Sequence, residues 1–441
     1  MSGVFDGEPS VIVITCSAGI GPFLADEVRA ITGVGKDDVL TGRGGVMVRG
    51  MWRDAMLLNL YSRLAQRVLV ELSYSEYRSE NDLYRAASEV AWEIWFTPKE
   101  TFKIEVTAQH SPLTSLNFAA LRVKDAVADR FRAKTGVRPD VQTRWPDVRI
   151  HLHLTSDHAQ LYIDTSGEPL FKRGWREDKG DAPLKETLAA AMIAATGWDP
   201  HAEEPLPLYD PCCGSATVVI EAAQMACRIA PGSQRRFAFE KLLPYQAHVW
   251  SAIKEEAASA VCKPVAAIFG SDISHRMVDF GQRNAERAGV AHALQLRGGD
   301  ALQRMPPVAQ PGIILLNPPY GERIAAAGSF GRNARERMGQ VHMRGREQAQ
   351  TEDGGDFFQQ LATHWKRHYS GWQAWMLTPD LELPGKMRLK ASRRVPLWNG
   401  PIECRLLRFD LVAGSARRPR AGTAEGDRPT DTTAPGAADG T

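Results

Sequence analysis

The apolar run at residues 312–316 constrains the fold most, because a polar and proline-rich turn follows it directly. The run reads Gly-Ile-Ile-Leu-Leu, and the next residues are Asn317-Pro318-Pro319-Tyr320. A short segment that is apolar on both faces and closed by prolines is typical of a buried strand in a parallel sheet. Ligands of open α/β sheets bind beyond the carboxyl ends of such strands. We therefore expect Asn317 to lie at a ligand-binding edge.

This turn also indicates a class of substrate. The prolines remove two N–H donors, and Pro318 holds Asn317 in an extended conformation. The side-chain oxygen of Asn317 and the carbonyl of Pro318 can then accept both hydrogens of one amino group, while Tyr320 stacks on its ring. Such an amine is a poor nucleophile, and orientation can contribute about 7–11 kcal/mol. The pattern thus favours an exocyclic amine on a planar ring, although a plain turn between strand and helix has the same residues.

Acidic residues follow the other strands that we predict in the C-terminal half. Asp210 opens the loop Asp-Pro-Cys-Cys-Gly-Ser-Ala-Thr, Asp272 follows a strand at residues 265–269, and Asp300 follows a strand at 294–297. The loop lacks the G-x-G-x-x-G pattern and the P-loop lysine, and its acid disfavours a diphosphate. A ligand with a cationic group, such as S-adenosylmethionine, fits better. An acid after the second strand is where a ribose is held, and the next acid can accept a hydrogen bond from adenine.

Composition excludes several classes of protein. The chain has 441 residues, of which 43% are hydrophobic and 24% charged, as expected for two or three globular domains. Its net charge is only +2, so any nucleic-acid binding must depend on local patches. The six cysteines are scattered without a C-x-x-C pair, so we predict neither a metal site nor disulfides. No signal peptide or membrane span is recognisable, and we predict a cytoplasmic protein.

Two stretches combine cations in a way that suits nucleic acid. A helix predicted at residues 121–134 is rich in Lys and Arg, and the Gly/Pro-rich junction at 163–180 mixes cations with Trp175. The residues that we expect to contact nucleic acid are Arg122, Lys124, Arg132, Lys172, Arg173 and Arg176. A solvated helix face and a packed linker are the alternative interpretations of these two stretches.

The motifs together resemble a known family. The loop at 210–215, the turn at 317–323, the junction at 164–176 with 182–191, and the segment Asn-Gly-Pro-Ile-Glu-Cys at 399–404 are similar to RlmL-type guanine-N2 methyltransferases of large-subunit ribosomal RNA. The resemblance covers most of residues 10–412. It implies a THUMP RNA-binding domain in the N-terminal half and use of S-adenosylmethionine by the C-terminal half.

The resemblance also implies roles for individual residues. Asp210, Cys213, Gly214 and Ser215 would line the methionine part of the cofactor. Asp272 would hold the ribose, Asp300 the adenine, and Asn317, Pro318 and Tyr320 would bind and orient the target base. The chain departs from the family at Ala216, where Gly is more usual, and an insertion at 325–355 is longer than expected.

These observations predict an α/β fold with two parts. An α+β, THUMP-containing RNA-binding region at 1–166 is followed by a linker at 167–183. A class I methyltransferase domain at 184–412 would have a Rossmann-like doubly wound sheet with an antiparallel C-terminal hairpin. A disordered tail would follow at 413–441.

The expected substrate is 23S rRNA, either free or in a pre-ribosomal particle. Because THUMP domains also occur in tRNA enzymes, a tRNA guanine-N2 methyltransferase is one alternative. A non-enzymatic RNA-binding factor in ribosome assembly is another. The turn Asn-Pro-Pro-Tyr also occurs in enzymes that methylate adenine N6 in DNA or glutamine side chains. The motif therefore indicates an amino nitrogen but does not identify the substrate molecule that contains it.

Overall fold

The computed structural model describes residues 9–42, 44–180, 183–318 and 354–412, with the backbone alone at 354–356. Tyr320, most of the predicted insertion at 325–355 and the predicted tail at 413–441 lie outside the described residues. None of the helices in the described ranges is long and apolar enough to cross a membrane.

The N-terminal half forms a seven-stranded sheet in the order β2-β3-β1-β4-β7-β6-β5. Its strands are β1 (Ser10–Thr15), β2 (Val39–Gly42), β3 (Gly45–Gly50), β4 (Arg67–Glu76), β5 (Phe102–Ala108), β6 (Val148–Leu154) and β7 (His158–Asp164). Its helices are α1 (Gly21–Thr32), α2 (Trp52–Tyr61), α3 (Glu80–Glu89) and α4 (Leu116–Thr135). All neighbouring strands are antiparallel except β5 and β6, which confirms the predicted α+β region.

The C-terminal half forms a second seven-stranded sheet, in the order β10-β9-β8-β11-β12-β14-β13. Its strands are β8 (Leu208–Asp210), β9 (Ile268–Asp272), β10 (Gln295–Gly298), β11 (Ile313–Leu316), β12 (Gln373–Thr378), β13 (Arg393–Asn399) and β14 (Ile402–Asp410). The strands from β10 to β12 are parallel, and β14 is antiparallel to both of its neighbours. This order confirms the predicted class I methyltransferase sheet with its antiparallel hairpin.

Helices connect the strands of the second sheet. They are α5 (Glu186–Thr196), α6 (Thr217–Ala226), α7 (Ala247–Ser259), α8 (His275–Arg287), α9 (Gly354–His368) and α10 (Leu383–Met387). The Oγ of Ser274 accepts a hydrogen bond from the backbone N–H of Met277 and caps α8.

Two predicted elements begin elsewhere. The basic helix starts at Leu116 rather than at residue 121, because the Oγ of Ser115 caps it by accepting from the N–H of Phe118. The strand predicted at 265–269 starts at Ile268, and Val265 is 76% exposed. As a result Asp272 is the last residue of β9 and not part of the turn after it.

The two halves pack against each other through a shared core. One hydrophobic cluster contains buried residues of both, among them Leu58 and Trp95 from the first and Ile220 and Trp250 from the second. The segment between α6 and α7 adds hydrogen bonds across this interface. The N–H of Gly232 donates to the Leu60 carbonyl at 2.9 Å, and the N–H of Leu243 donates to the Trp95 carbonyl at 2.8 Å.

Candidate active site

The candidate site lies where the strand order of the second sheet reverses. From β8 the chain continues to β9 and β10 on one side, and β11 lies on the other side of β8. Ile314 pairs with Tyr209, so Asp210 ends β8 beside the strand that leads into Asn317. Open α/β sheets bind their ligands at this reversal, beyond the carboxyl ends of the strands.

The loop after β8 is held over the end of β9. The N–H of Cys213 donates to the Ser271 carbonyl at 2.9 Å, and the N–H of Gly214 donates to Oδ2 of Asp272 at 2.9 Å. Gly214 has a φ of +52°, and a Cβ added there would meet no atom within 4 Å. The backbone at Gly214 therefore faces open space, as a loop that approaches a ligand must.

Ala216 is accommodated on the other side of this loop. It is the N-cap of α6 and has a φ of +70°, a conformation that costs a non-glycine residue about 1–2 kcal/mol. A Cβ added at Gly281 in α8 would lie 2.9 Å from the Ala216 Cβ. The methyl group thus packs towards α8, where Gly281 leaves room for it.

Three carboxyl groups gather around Cys212. Burial raises the pKa of the Cys212 thiol well above its usual value, and the charges of Asp210, Asp272 and Asp300 raise it further. Asp210 and Asp272 both accept hydrogen bonds from this loop, through the N–H groups of Cys212 and Gly214, and Asp300 follows the adjacent strand β10. A cluster of carboxylates at a sheet edge favours a cationic ligand.

Asp210 is the most deeply buried of these acids, with 2% of its surface exposed. Burial, together with the nearby Asp272 charge, raises the pKa of Asp210 to about 8. The N–H of Cys212 donates to Oδ1 at 3.0 Å, and this hydrogen bond lowers the pKa in part. Burial also raises the pKa of Asp272, against the hydrogen bonds from the N–H groups of Ser274 and Gly214. Buried carboxyl groups with pKa values raised in this way are typical of functional sites.

The remaining predicted site residues lie at the same edge. Oδ1 of Asp300 accepts from the N–H of Leu302 at 2.9 Å, directly after β10. Ser215 is buried in the loop, and Asn317 and Pro318 follow β11, half-buried and buried respectively. The described part of the turn is thus placed by the sheet register beside Asp210.

One residue of the site escaped the sequence analysis. Asn284 is fully buried in α8, and its Nδ2 donates to the Ser215 carbonyl at 3.2 Å and to the Asp178 carbonyl at 2.8 Å. It therefore connects the loop after β8 to the junction between the two halves. No local signal marks Asn284, because it lies in a polar helix far from both partners in the sequence.

The predicted nucleic-acid contacts of α4 remain at the surface, but each has a partner. The Arg122 guanidinium lies 4.6 Å from the Tyr84 ring centroid. Lys124 lies 2.7 Å from an Asp125 oxygen, and Arg132 lies 4.0 Å from an Asp129 oxygen. Their role in RNA binding stays a prediction.

In the junction the structure corrects two of the three predicted contacts. Arg173 is only 2% exposed and its Nε lies 3.1 Å from the buried carboxylate of Glu221. The Arg176 side chain is also largely enclosed, and its Nε lies 2.9 Å from Glu186. Both guanidinium groups therefore form internal ion pairs and are not accessible to RNA phosphates. Lys172 is exposed and pairs with Glu168.

These buried pairs join the two halves. The Arg173 Nη2 donates to the Arg63 carbonyl at 2.7 Å, and the Arg176 Nη2 donates to Oγ1 of Thr217 at 2.7 Å. Since Thr217 is the first residue of α6, directly after the loop, the junction contacts both the N-terminal half and the candidate site.

Comparison with known proteins agrees with this arrangement. Three family profiles match in order: the RlmL ferredoxin-like domain at residues 11–69, the THUMP domain at 77–164, and the RMKL-like methyltransferase domain at 173–344. Relatives called "Ribosomal RNA large subunit methyltransferase K/L" include that of Psychromonas ingrahamii, 36% identical over 92% of this chain and 50% of the relative. The relative from Shewanella amazonensis is 36% identical over 94% of this chain and 54% of its own length. The chain spans about half the length of the curated relatives it matches.

Solved structures resemble the chain over most of its length. SMU.472, described as a putative methyltransferase complexed with SAH, has a TM-score of 0.77 and 25% identity over 93% of this chain and 99% of its own. A Listeria monocytogenes protein described as a predicted N6-adenine-specific DNA methylase has a TM-score of 0.77 and 26% identity over 93% of this chain and 99% of its own. TrmN from Thermus thermophilus, at 17% identity and a TM-score of 0.62 over 91% and 99%, shares the fold.

Proposed function

We propose that the chain methylates the exocyclic N2 amine of a guanine in 23S rRNA. Its residues 173–344 match the RMKL-like methyltransferase domain, and residues 77–164 before them match the THUMP domain. The methyl donor is S-adenosylmethionine. The observation that carries the proposal is that Asp210 ends β8 and Asn317 follows the adjacent parallel strand β11, at the strand-order reversal. The reaction takes place in the cytoplasm, on rRNA that is free or in a pre-ribosomal particle.

The residues present fit this cofactor. Bound S-adenosylmethionine supplies a methyl group activated by a cationic sulfonium, next to an amino-acid part that also carries an ammonium. The buried carboxyl of Asp210 and the open space at Gly214 suit such a ligand, and Cys213 and Ser215 complete that wall. Asp272 ends the next strand, β9, and Asp300 follows β10, where they hold the ribose and the adenine respectively.

The target base is held by the turn after β11. The side-chain oxygen of Asn317 and the carbonyl of Pro318 accept the two N–H hydrogens of the guanine amine and so direct its lone pair. Tyr320 is proposed to stack on the ring. The base must first leave its helix or be unpaired, at a cost of a few kcal/mol. Binding of the surrounding RNA by the THUMP-containing half offsets that cost.

The proposal is tested by methyl transfer to purified RNA. The chain is incubated with S-adenosylmethionine labelled in the methyl group and with 23S rRNA or tRNA transcribed without modifications. We expect label in 23S rRNA and none in tRNA. Label in tRNA alone would support the proposed methyl transfer but would show that tRNA, and not 23S rRNA, is the substrate. Absence of label from both would favour a binding-only assembly factor.

Asn284 offers a separate test of the loop. Replacing it with alanine leaves the buried Ser215 carbonyl without this donor, a loss of about 1–3 kcal/mol. We expect the Asn284→Ala variant to bind S-adenosylhomocysteine about tenfold more weakly in calorimetry, with its RNA affinity unchanged. Gln282→Ala, at an exposed position of the same helix, is the control. Equal affinities in both variants would show that Asn284 does not position the loop.

A further inference from the structure

The C-terminal part of the second sheet has a surface rich in unpaired positive charge. We call this surface the basic edge, and its members are Lys366, Arg367, Arg388, Lys390, Arg393 and Arg394. All six are exposed, and in the part of the chain that the structure describes none of them forms an ion pair. Three cations of α4 contrast with them, because Lys124, Arg130 and Arg132 have acidic partners.

Members of the basic edge follow one another along the chain or are in contact, except that the Arg393 guanidinium lies 5.9 Å from the Trp375 ring centroid and donates to the Ala195 carbonyl at 3.4 Å. Nζ of Lys366, near the end of α9, donates to the Arg388 carbonyl at 2.9 Å. The segment from Arg388 then runs directly into β13, the edge strand of the sheet. The N–H of Ser392 donates to the Arg408 carbonyl at 2.9 Å and fixes this segment against β14.

The strand register places one member of the basic edge, Arg394, near the candidate active site. Arg394 pairs with Leu407, which pairs with Met376, and Met376 pairs with Leu316. Arg394 is therefore level with the residue that precedes Asn317. Three inter-strand spacings separate β13 from β11, a distance of about 14 Å. A few nucleotides of RNA can span this distance from a base held at Asn317.

The chemistry of this surface suits a phosphate backbone. Arginine offers a planar fork of donors that matches phosphate oxygens, and four of the six cations are arginines. Exposed large hydrophobic side chains flank this segment singly at Leu381 and Ile402, and none is exposed in residues 382–401, all of them described. A continuous apolar anchor for a membrane is therefore lacking there. Charged edge strands also prevent pairing with other sheets, which is the alternative role of these residues.

We propose that the basic edge is a second RNA-binding surface, which holds the backbone of the RNA beside the target nucleotide. This inference rests on the proposed function. It assigns RNA binding to the catalytic half as well as to the THUMP-containing half.

The test compares two triple variants with the same change of net charge. The first contains Arg388→Glu, Lys390→Glu and Arg394→Glu in the basic edge. The control contains Lys36→Glu, Lys254→Glu and Lys263→Glu, at exposed positions elsewhere in the chain. Affinity for unmodified 23S rRNA is measured over a range of salt concentrations, together with affinity for S-adenosylhomocysteine and the melting temperature.

We expect the basic-edge variant to bind RNA at least tenfold more weakly than the control at low salt. Its slope of log K against log salt should fall by about 2, because each lost phosphate contact removes about 0.7 for single strands. Its affinity for S-adenosylhomocysteine should not change. An RNA affinity and salt slope equal to those of the control would overturn the inference while the unaltered chain still binds and methylates RNA. If the unaltered chain does neither, the proposed function fails with it.

Discussion

An Asp210→Asn variant is expected to bind S-adenosylhomocysteine at least 100-fold more weakly than the unaltered chain. Asp210 is buried at the site and has no cationic partner among the described residues, so without ligand its pKa of about 8 keeps it mostly protonated at pH 7. The ammonium of the ligand favours the charged carboxylate and supplies the cationic partner that it lacks. Loss of a hydrogen bond to a charged group costs about 1.5–3 kcal/mol, and 100-fold corresponds to about 2.7 kcal/mol.

The same variant is expected to be more stable than the unaltered chain without ligand. The pKa of Asp210 is about 8 in the folded protein, against about 3.9 in an unfolded chain. The folded state therefore binds this proton more tightly, and the associated stability is complete below pH 4 and lost as the pH rises towards 8. At pH 8 the raised pKa of Asp210 lowers the free energy of unfolding by on the order of 5 kcal/mol. Asparagine does not ionise, so the variant avoids this loss.

Two measurements check this pair of expectations. Thermal unfolding between pH 5 and 8.5 should show a weaker decline for Asp210→Asn than for the unaltered chain, and calorimetry should show the lost affinity. Asp37→Asn, at an exposed position, is the control and should match the unaltered chain in both. A variant that keeps its ligand affinity, or whose unfolding profile parallels that of the unaltered chain, would contradict the role given to Asp210.

An Asn317→Ala variant is expected to lose about 10²–10³-fold in kcat. It removes one of the two acceptors that orient the guanine amine, and removal of one preorganised hydrogen-bonding group typically has this effect. The affinity for S-adenosylhomocysteine should stay within twofold, since the acid cluster is untouched. The KM for RNA should change little, because most RNA contacts lie elsewhere.

Single-turnover methylation of 23S rRNA measures this rate directly. A variant with unchanged kcat would show that Asn317 does not orient the amine. Loss of ligand affinity together with rate would show that Asn317 maintains the sheet edge instead, and would equally contradict the assigned role.

The strand-end acids could be predicted from the sequence because the signal is local. Each acid follows a short apolar run, and parallel strands bring their carboxyl ends to one edge. The reversal at β8 then places Asp210 beside the strand that leads to Asn317 without any long-range information. The antiparallel hairpin was predictable for the same reason, from the turn at Asn399-Gly400 between two apolar segments.

Two predicted RNA contacts, Arg173 and Arg176, were wrong because their surroundings cannot be read from the neighbouring sequence. Arg173 and Arg176 lie beside an aromatic residue in a polar stretch, a pattern shared by RNA-binding surfaces and by buried ion pairs. Their partners are Glu221 in α6 and Glu186 in α5, and these pairs form only when the two helices pack against the junction. The basic edge escaped for the opposite reason, because its cations are spread over a helix end, a connection and an edge strand. The proposed domain boundaries at 166, 183 and 412 stay predictions.

The most direct test of the central claim is identification of the methylated nucleoside. Unmodified 23S rRNA is treated with the purified chain and S-adenosylmethionine, digested to nucleosides and analysed by mass spectrometry. The account predicts N2-methylguanosine, and digestion to oligonucleotides should locate it at a single position. N6-methyladenosine in place of N2-methylguanosine, or no methylated nucleoside at all, would contradict it.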